Sequence, residues 1–177
     1  MPTPHDLVSM ARYNQWMNQK IYAAAQSLPI EEVTKDRGAY FQSILGTLNH
    51  LYVADIIWLK RFSRHPSQFT TLSGLNDQPS PTRLDEIVHE RLPELWAARV
   101  KLDTTILNLA AQITQFDLNQ VLSYKNMSGE PKTKGFSDLL QHFFNHQTHH
   151  RGQLTTLLAQ AGKHVEPTDL LVLLDDA

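Results

Sequence analysis

Four long segments of this chain carry apolar residues every three or four positions, a repeat that a strand cannot use and that a helix turns into one buried stripe. In the first, Leu7, Met10, Asn14, Met17, Ile21, Ala24 and Leu28 form the stripe, with Asn14 its one polar member. A second, from Tyr40 to Arg64, places Ile44, Leu48, Leu51, Trp58 and Phe62 on one side, with Asp55 in mid-stripe. Pro66 and the stretch TTLSGLNDQPSP end that helix and form the longest connection. Ser80 and Pro81 read as a cap and a first-turn proline for a third helix reaching Ile113, with Leu84, Val88, Leu95, Leu102, Ile106 and Leu109 in its seam. Pro93 lies inside this third helix and either kinks it or marks its true start. The fourth helix runs from Ser137 to Gly162, whose glycine suits a left-handed C-terminal cap. Between the third and fourth, residues 119 to 134 hold a β-capable run and a Ser-Gly turn signal, which predict a small hairpin. Amphipathic helices of this length are best buried against one another, so the fold class expected is all-α: a four-helix bundle with that hairpin between its third and fourth helices and PTDLLVLL packing back at the end.

At 177 residues and 41% apolar, with no linker-like tract, the chain is expected to form one domain over 1–177. No apolar run approaches the roughly 18 residues that cross a bilayer, and MPTPHDLVSM lacks the basic start and apolar stretch of a secretory signal. With no cysteine there are no disulfides and no thiolate ligands, so the expected location is cytoplasmic, without a membrane partner. A net charge of −2 and no basic run beyond pairs argue against nucleic acid as a partner.

Into the fourth stripe the chain writes HFFNHQTHHRGQ, four histidines in nine positions. Leu139, Phe143, His146, His150, Leu154, Leu157 and Ala161 follow the spacing of a core seam, so two of these histidines stand where leucines belong. At about 100° per residue His146 and His150 lie about 40° apart and one turn apart, and their rings can converge on one point. An unpaired buried polar group costs on the order of 1 to 3 kcal/mol, and a shared metal would satisfy both rings at once. A metal held by side chains contributes on the order of 10 kcal/mol, more than that cost. The spacing leaves open both a metal and two core imidazoles satisfied by ordinary acceptors. HExxH is absent because Gln147 follows His146, so a metalloprotease with its adjacent glutamate base is excluded. A third ligand must come from another helix, and periodicity leaves His50 and His89 both open.

The stretches LNHLYVADIIWLKRF and HFFNHQTHHRGQLTTLLAQAG, with YNQWMNQ near Tyr13, the glycine-containing hairpin and PTDLLVLL, resemble the DinB family of DinB/YfiT-like metalloenzymes over nearly the whole chain. The resemblance implies a four-helix bundle of unusual connectivity, a homodimer, and three histidines holding a divalent metal. By motif position these are His50, His146 and His150. It also implies a small-molecule thiol co-substrate in a transfer or isomerisation reaction on a small-molecule substrate, with zinc expected first and nickel second as the ion. The enzyme expected is a metal-dependent transferase or a related hydrolase, and the competing reading is a non-catalytic metal-binding bundle. No catalytic base is identified.

Around the three histidines, Asp55 is a candidate to support a ligand, although it points about 140° from His50 and an arginine across the bundle is its alternative partner. Gln153, about 20° from His146, either lines the pocket or satisfies a core contact, and His142 and His149 are candidates for the pocket rim. Asn14 is expected to fix helix register. Arg151 is expected in a solvated or helix-to-helix role, and Tyr13, Trp16 and Trp58 are expected to pack rather than bind.

Overall fold

The computed structural model describes residues 2–75 and 80–174. Four long helices dominate: α1 (Pro4–Gln26), α3 (Ile44–Phe62), α4 (Leu92–Gln112) and α6 (Phe136–Gln160), with short α2 (Ile30–Thr34) and α5 (Gln115–Leu118) between them. The molecule is mostly helical, and among the described residues the one sheet is the antiparallel pair β1 (Val121–Lys125) and β2 (Pro131–Gly135), turned at Gly129 with φ +81°. Helix α1 packs on α4 and α6, and α3 packs on α6. Among the described residues no helix is long and apolar enough to cross a membrane.

Local chemistry accounts for the helix ends. Thr3 and Asp6 form a reciprocal capping box at the start of α1, and the Ser43 side chain accepts the Gly46 N–H at the start of α3. Gly162, at φ +80°, takes the left-handed conformation expected just past α6.

The third helix differs most from expectation. It begins at Leu92 with Pro93 in its first turn, so the proline marks the true start and residues 80–91 are not helical. Leu84 and Val88 therefore leave the seam to which their spacing assigned them, and Leu84 is half exposed. Residues 76–79 of the long connection lie outside the described residues. The second helix begins at Ile44 rather than Tyr40, because the preceding residues form a tight turn with Gln42 at φ +64°. PTDLLVLL does return to α1, but through polar contacts: the Tyr13 hydroxyl donates to the Thr168 carbonyl at 2.7 Å and Lys20 Nζ to the Pro167 carbonyl at 2.5 Å, while Leu171 to Leu174 stay exposed.

The interior has two apolar clusters. One gathers Ala11, Ile56, Leu59, Leu102, Ile106 and Phe143; the other gathers Met17, Leu48, Leu51, Leu95, Leu154 and Leu157. Each long helix contributes buried polar residues at the level between them: Asn14 and Asn18 on α1, Asp55 on α3, Arg99 and Asp103 on α4, Gln147 and Arg151 on α6. Arg99 pairs with Asp55 at 2.6 Å and with Asp103 at 3.0 Å, Asn18 donates to Asp103 at 2.9 Å, Gln147 donates to Asp55, and Arg151 donates to Asn14. Two guanidinium groups and two carboxylates meet there, so the layer can be close to neutral. That balance is what allows charges to sit in a low-dielectric interior, and the directional bonds fix the relative heights of the four helices.

Candidate metal site

The site is built from two helices that the interior layer already ties together. Asp55 lies five residues beyond His50 on α3, and Gln147 lies between His146 and His150 on α6, so the Gln147 to Asp55 hydrogen bond joins the helices at the level of the histidines. His50 Nε2 lies 3.2 Å from His146 Nε2 and 3.1 Å from His150 Nε2. The three rings present one nitrogen each within 4.8 Å of one another, a spacing at which one ion can be shared. His50 and His150 are buried and His146 is half-buried. The structure thus chooses between the two histidines that periodicity left open. His89 lies outside this cluster, its ring edge-on to Tyr52, while its backbone N–H donates to Asn49 Oδ1 at 3.0 Å.

Two outer contacts determine which ring nitrogens carry protons. His50 Nδ1 lies 2.8 Å from the Leu84 carbonyl, an oxygen that can only accept, so the proton is on Nδ1 and Nε2 presents a lone pair. His150 Nδ1 lies 2.8 Å from Gln153 Oε1, and the amide nitrogen of Gln153 faces His149 Nε2 at 3.3 Å. That amide orientation again puts the proton on Nδ1 and leaves Nε2 bare. Two lone pairs consequently face each other across 3.1 Å, an arrangement that needs a shared positive charge. Protonation is an unfavourable source of it. Burial pushes His50 down to about 4, with the His150 ring adding to the depression and the Leu84 carbonyl opposing it. Burial and the neighbouring imidazoles push His146 down to about 3, and burial lowers His150 as well. Three neutral imidazoles suit zinc, nickel, copper or iron, and the donor set is compatible with a divalent ion.

A strap covers the face of the His50 ring. The Phe41 ring stacks on the imidazole, centroids 3.7 Å apart and planes 14° from parallel, and stands edge-on to His150 at 5.6 Å. Phe41 is placed by an unusual turn: the Ser43 N–H donates to the Phe41 carbonyl at 2.7 Å across Gln42, whose positive φ makes this a γ-turn. The same carbonyl rests against α3 at Gly46, where a Cβ would lie 2.1 Å from the oxygen, so only glycine fits.

The remaining candidates separate by what they touch. Gln153 holds His150 directly. His149 contacts Gln153 from an exposed position, and the exposed His142 ring lies between His146, at 6.0 Å, and Trp58, at 5.1 Å. Asp55 does not support a histidine of the cluster: its carboxylate is taken by Arg99 and Gln147, the arginine alternative. Burial pushes that carboxyl up to about 6 against the pull of Arg99. Arg151 is buried, in the helix-to-helix role, and its guanidinium lies 5.3 Å from the centre of the Tyr13 ring. Trp58 does more than pack. With His50, His146, His142, Tyr124 and Arg61 it lines a cavity of about 310 Å³ opening beside the imidazoles. A larger cavity of about 770 Å³ lies near Asp6 and Asp138, but it reaches only His142 of this group and none of the three converging rings.

Sequence reasoning missed Phe41, the Leu84 carbonyl and Arg61. The first two act through a turn and a backbone oxygen, which leave no trace in a residue pattern. Arg61 did leave one, since eleven residues from His50 is about three helical turns and returns to within about 20° of the same face.

Fold and site together define a mostly helical protein whose three converging histidines are compatible with a divalent metal. The sequence model described as the DinB family matches residues 1–177, and the chain belongs to that family. It is similar to Protein DinB of Bacillus subtilis (strain 168), 32% identical over 157 residues that make up 89% of this chain and 87% of the relative. No solved structure matches the chain significantly.

Proposed function

We propose that His50, His146 and His150 hold a divalent ion, zinc first and nickel second, and that the protein is a metal-dependent enzyme using a small-molecule thiol in a transfer reaction. The observation that carries the metal is the pair of Nε2 atoms 3.1 Å apart, on rings whose Nδ1 atoms each face an oxygen at 2.8 Å and so leave the Nε2 lone pairs to face each other. Backbone and side-chain acceptors of this kind orient imidazoles toward an ion and raise their basicity. When bound, the ion supplies Lewis acidity that lowers the pKa of water or of a thiol. The chain's own part is positional: Leu84, Gln153 and Phe41 orient the rings, Trp58 and Tyr124 wall the cavity, and no residue is assigned as a catalytic base. Family membership supports the thiol and the DinB/YfiT-like four-helix bundle, read here as one domain over 1–177. The same reading takes the protein as a cytoplasmic homodimer with neither nucleic acid nor membrane as partner; Leu171 and Phe116, 77% and 73% exposed, are apolar surface that a second copy would cover.

The test is metal content and melting temperature of tag-free protein for the wild type, His50→Ala, His146→Ala and His150→Ala. Near-stoichiometric metal in the wild type and a loss common to all three variants are expected. Wild-type protein holding almost no metal, with a melting temperature indifferent to chelator, overturns the reading. A cobalt-loaded site whose spectrum ignores added thiols points instead to a non-catalytic, structural metal.

A further inference from the structure

The cavity beside the imidazoles continues along α3. His50, Ala54, Ile57, Trp58 and Arg61 all line it, at spacings of four, three, one and three residues, so one face of a single helix forms its floor. The floor changes character from end to end. It begins at the histidines, passes the small Ala54 and the apolar Ile57, and ends at a guanidinium about 16.5 Å further along the axis, less the reach of the arginine back toward the histidines. Arg61 is held in place from two sides, its guanidinium carbon 4.5 Å from the centre of the Trp58 ring and 5.0 Å from that of Tyr124. Aromatic faces fix the plane and position of a guanidinium without using its N–H donors.

Among the described residues those donors have no carboxylate to meet. Among the described residues Arg61 forms no ion pair, and no Asp or Glu lines the cavity. Arg37, Arg83 and Arg91 each have an acidic partner and the buried Arg99 has two; the other arginines without an ion pair among the described residues are Arg12 and Arg64, which are exposed, and Arg151, which is buried and donates to Asn14. A position in the last turn of α3 favours a cation through the helix dipole, but it does not account for a cation aligned with the histidines along the cavity floor.

We infer that Arg61 is the anion-recognition residue of this cavity, and that the molecule it takes has a metal-seeking head at the histidines, an apolar body over Ala54 and Ile57, and a carboxylate at its far end. This rests on the metal reading for the head group alone; the carboxylate end is argued from Arg61 and the cavity. A planar guanidinium already oriented by two rings matches a carboxylate bidentately, whereas a neutral end group would strip the donors of water without replacing the bonds. Neutral imidazoles leave the charge of a bound divalent ion uncompensated, so both ends of the cavity favour negative charge.

The probes are a matched pair, 8-mercaptooctanoate and 8-mercaptooctanol, titrated against cobalt-substituted protein by its absorption spectrum. In parallel, octanoate and octanol are titrated against metal-free protein by tryptophan fluorescence and calorimetry. The charged member of each pair should bind on the order of tenfold more tightly to the wild type. Arg61→Gln should abolish that preference while leaving the affinity of the neutral member and the cobalt spectrum unchanged, and Arg61→Lys should restore part of it. Equal binding of charged and neutral members by the wild type, or a preference that survives Arg61→Gln, overturns the inference. Failure of the wild type to take up cobalt overturns the metal reading instead, and the octanoate comparison then decides the role of Arg61.

Discussion

Replacing Gly46 by alanine tests whether the strap over His50 is held by a true steric fit. In an ordinary helix the change is favourable, since alanine exceeds glycine by about 0.8 to 1 kcal/mol in a helix interior and somewhat less in a first turn. Here the new Cβ would lie 2.1 Å from the Phe41 carbonyl oxygen, and the contact has to lengthen by at least 0.9 Å to reach even the 3.0 Å that real Cβ atoms respect. That oxygen is backbone, which cannot rotate away as a flexible side-chain end would. Moving it stretches the 2.7 Å hydrogen bond from the Ser43 N–H and drags the ring that stacks on His50. Overpacking of this kind costs about 1 to 3 kcal/mol, and a weakened hydrogen bond about 1 more, so the clash outweighs the propensity gain. A net destabilisation of about 1 to 2 kcal/mol is expected, about 2 to 8 °C in melting temperature for a chain of this size. Gly152→Ala is the internal control: that helical position has nothing within 4 Å of a built Cβ, so the substitution should stabilise by up to about 1 kcal/mol. Urea denaturation of the two variants beside the wild type reads both signs. If Gly46→Ala proves as stable as the wild type, or the two variants shift together, the packing of Phe41 against α3 is not what holds the strap.

Two further outcomes follow from groups the interior buries. In metal-free protein, His50 and His146 are depressed from 6.5 to about 4 and about 3. Between those values and 6.5 the unfolded chain binds more protons than the folded one, so stability is fully present above about pH 6.5 and is lost as pH falls through the folded values. Each histidine adds a slope of up to about 1.4 kcal/mol per pH unit. Melting temperature measured from pH 7 to pH 4 should fall less steeply for His50→Ala than for the wild type, and parallel curves would show that this ring is not held neutral. Arg99→Met would leave Asp55 and Asp103 buried without their shared cation, a loss of about 3 to 5 kcal/mol; a denaturation midpoint within about 1 kcal/mol of the wild type would mean that the carboxylates find water or another partner.

Much of the architecture was already present in the one-dimensional pattern, because helix period and helix capping are local properties. The four stripes located all four long helices, and the breaks in them located the hairpin. The polar intrusions Asn14 and Asp55 marked the level at which the charged layer would form. The convergence of His146 and His150 was local too, being a matter of one helix turn. Pro93 was ambiguous for a physical reason: a proline can open a helix or interrupt one, and the apolar spacing of Leu84 and Val88 continued by chance through residues that never become helical.

Tertiary structure alone decided which histidine of another helix joins the pair, that the Leu84 carbonyl fixes a proton on His50, and that Phe41 covers the ring. These contacts join residues far apart in the chain or pass through backbone atoms, and neither distance in space nor the direction of a carbonyl is encoded in the spacing of side chains along one segment. The sequence by itself determined which helices would exist and which faces they would bury. Their relative heights, and with them the few ångströms that turn three separate imidazoles into one cluster, were set by packing and by the charge-paired layer between the two apolar clusters.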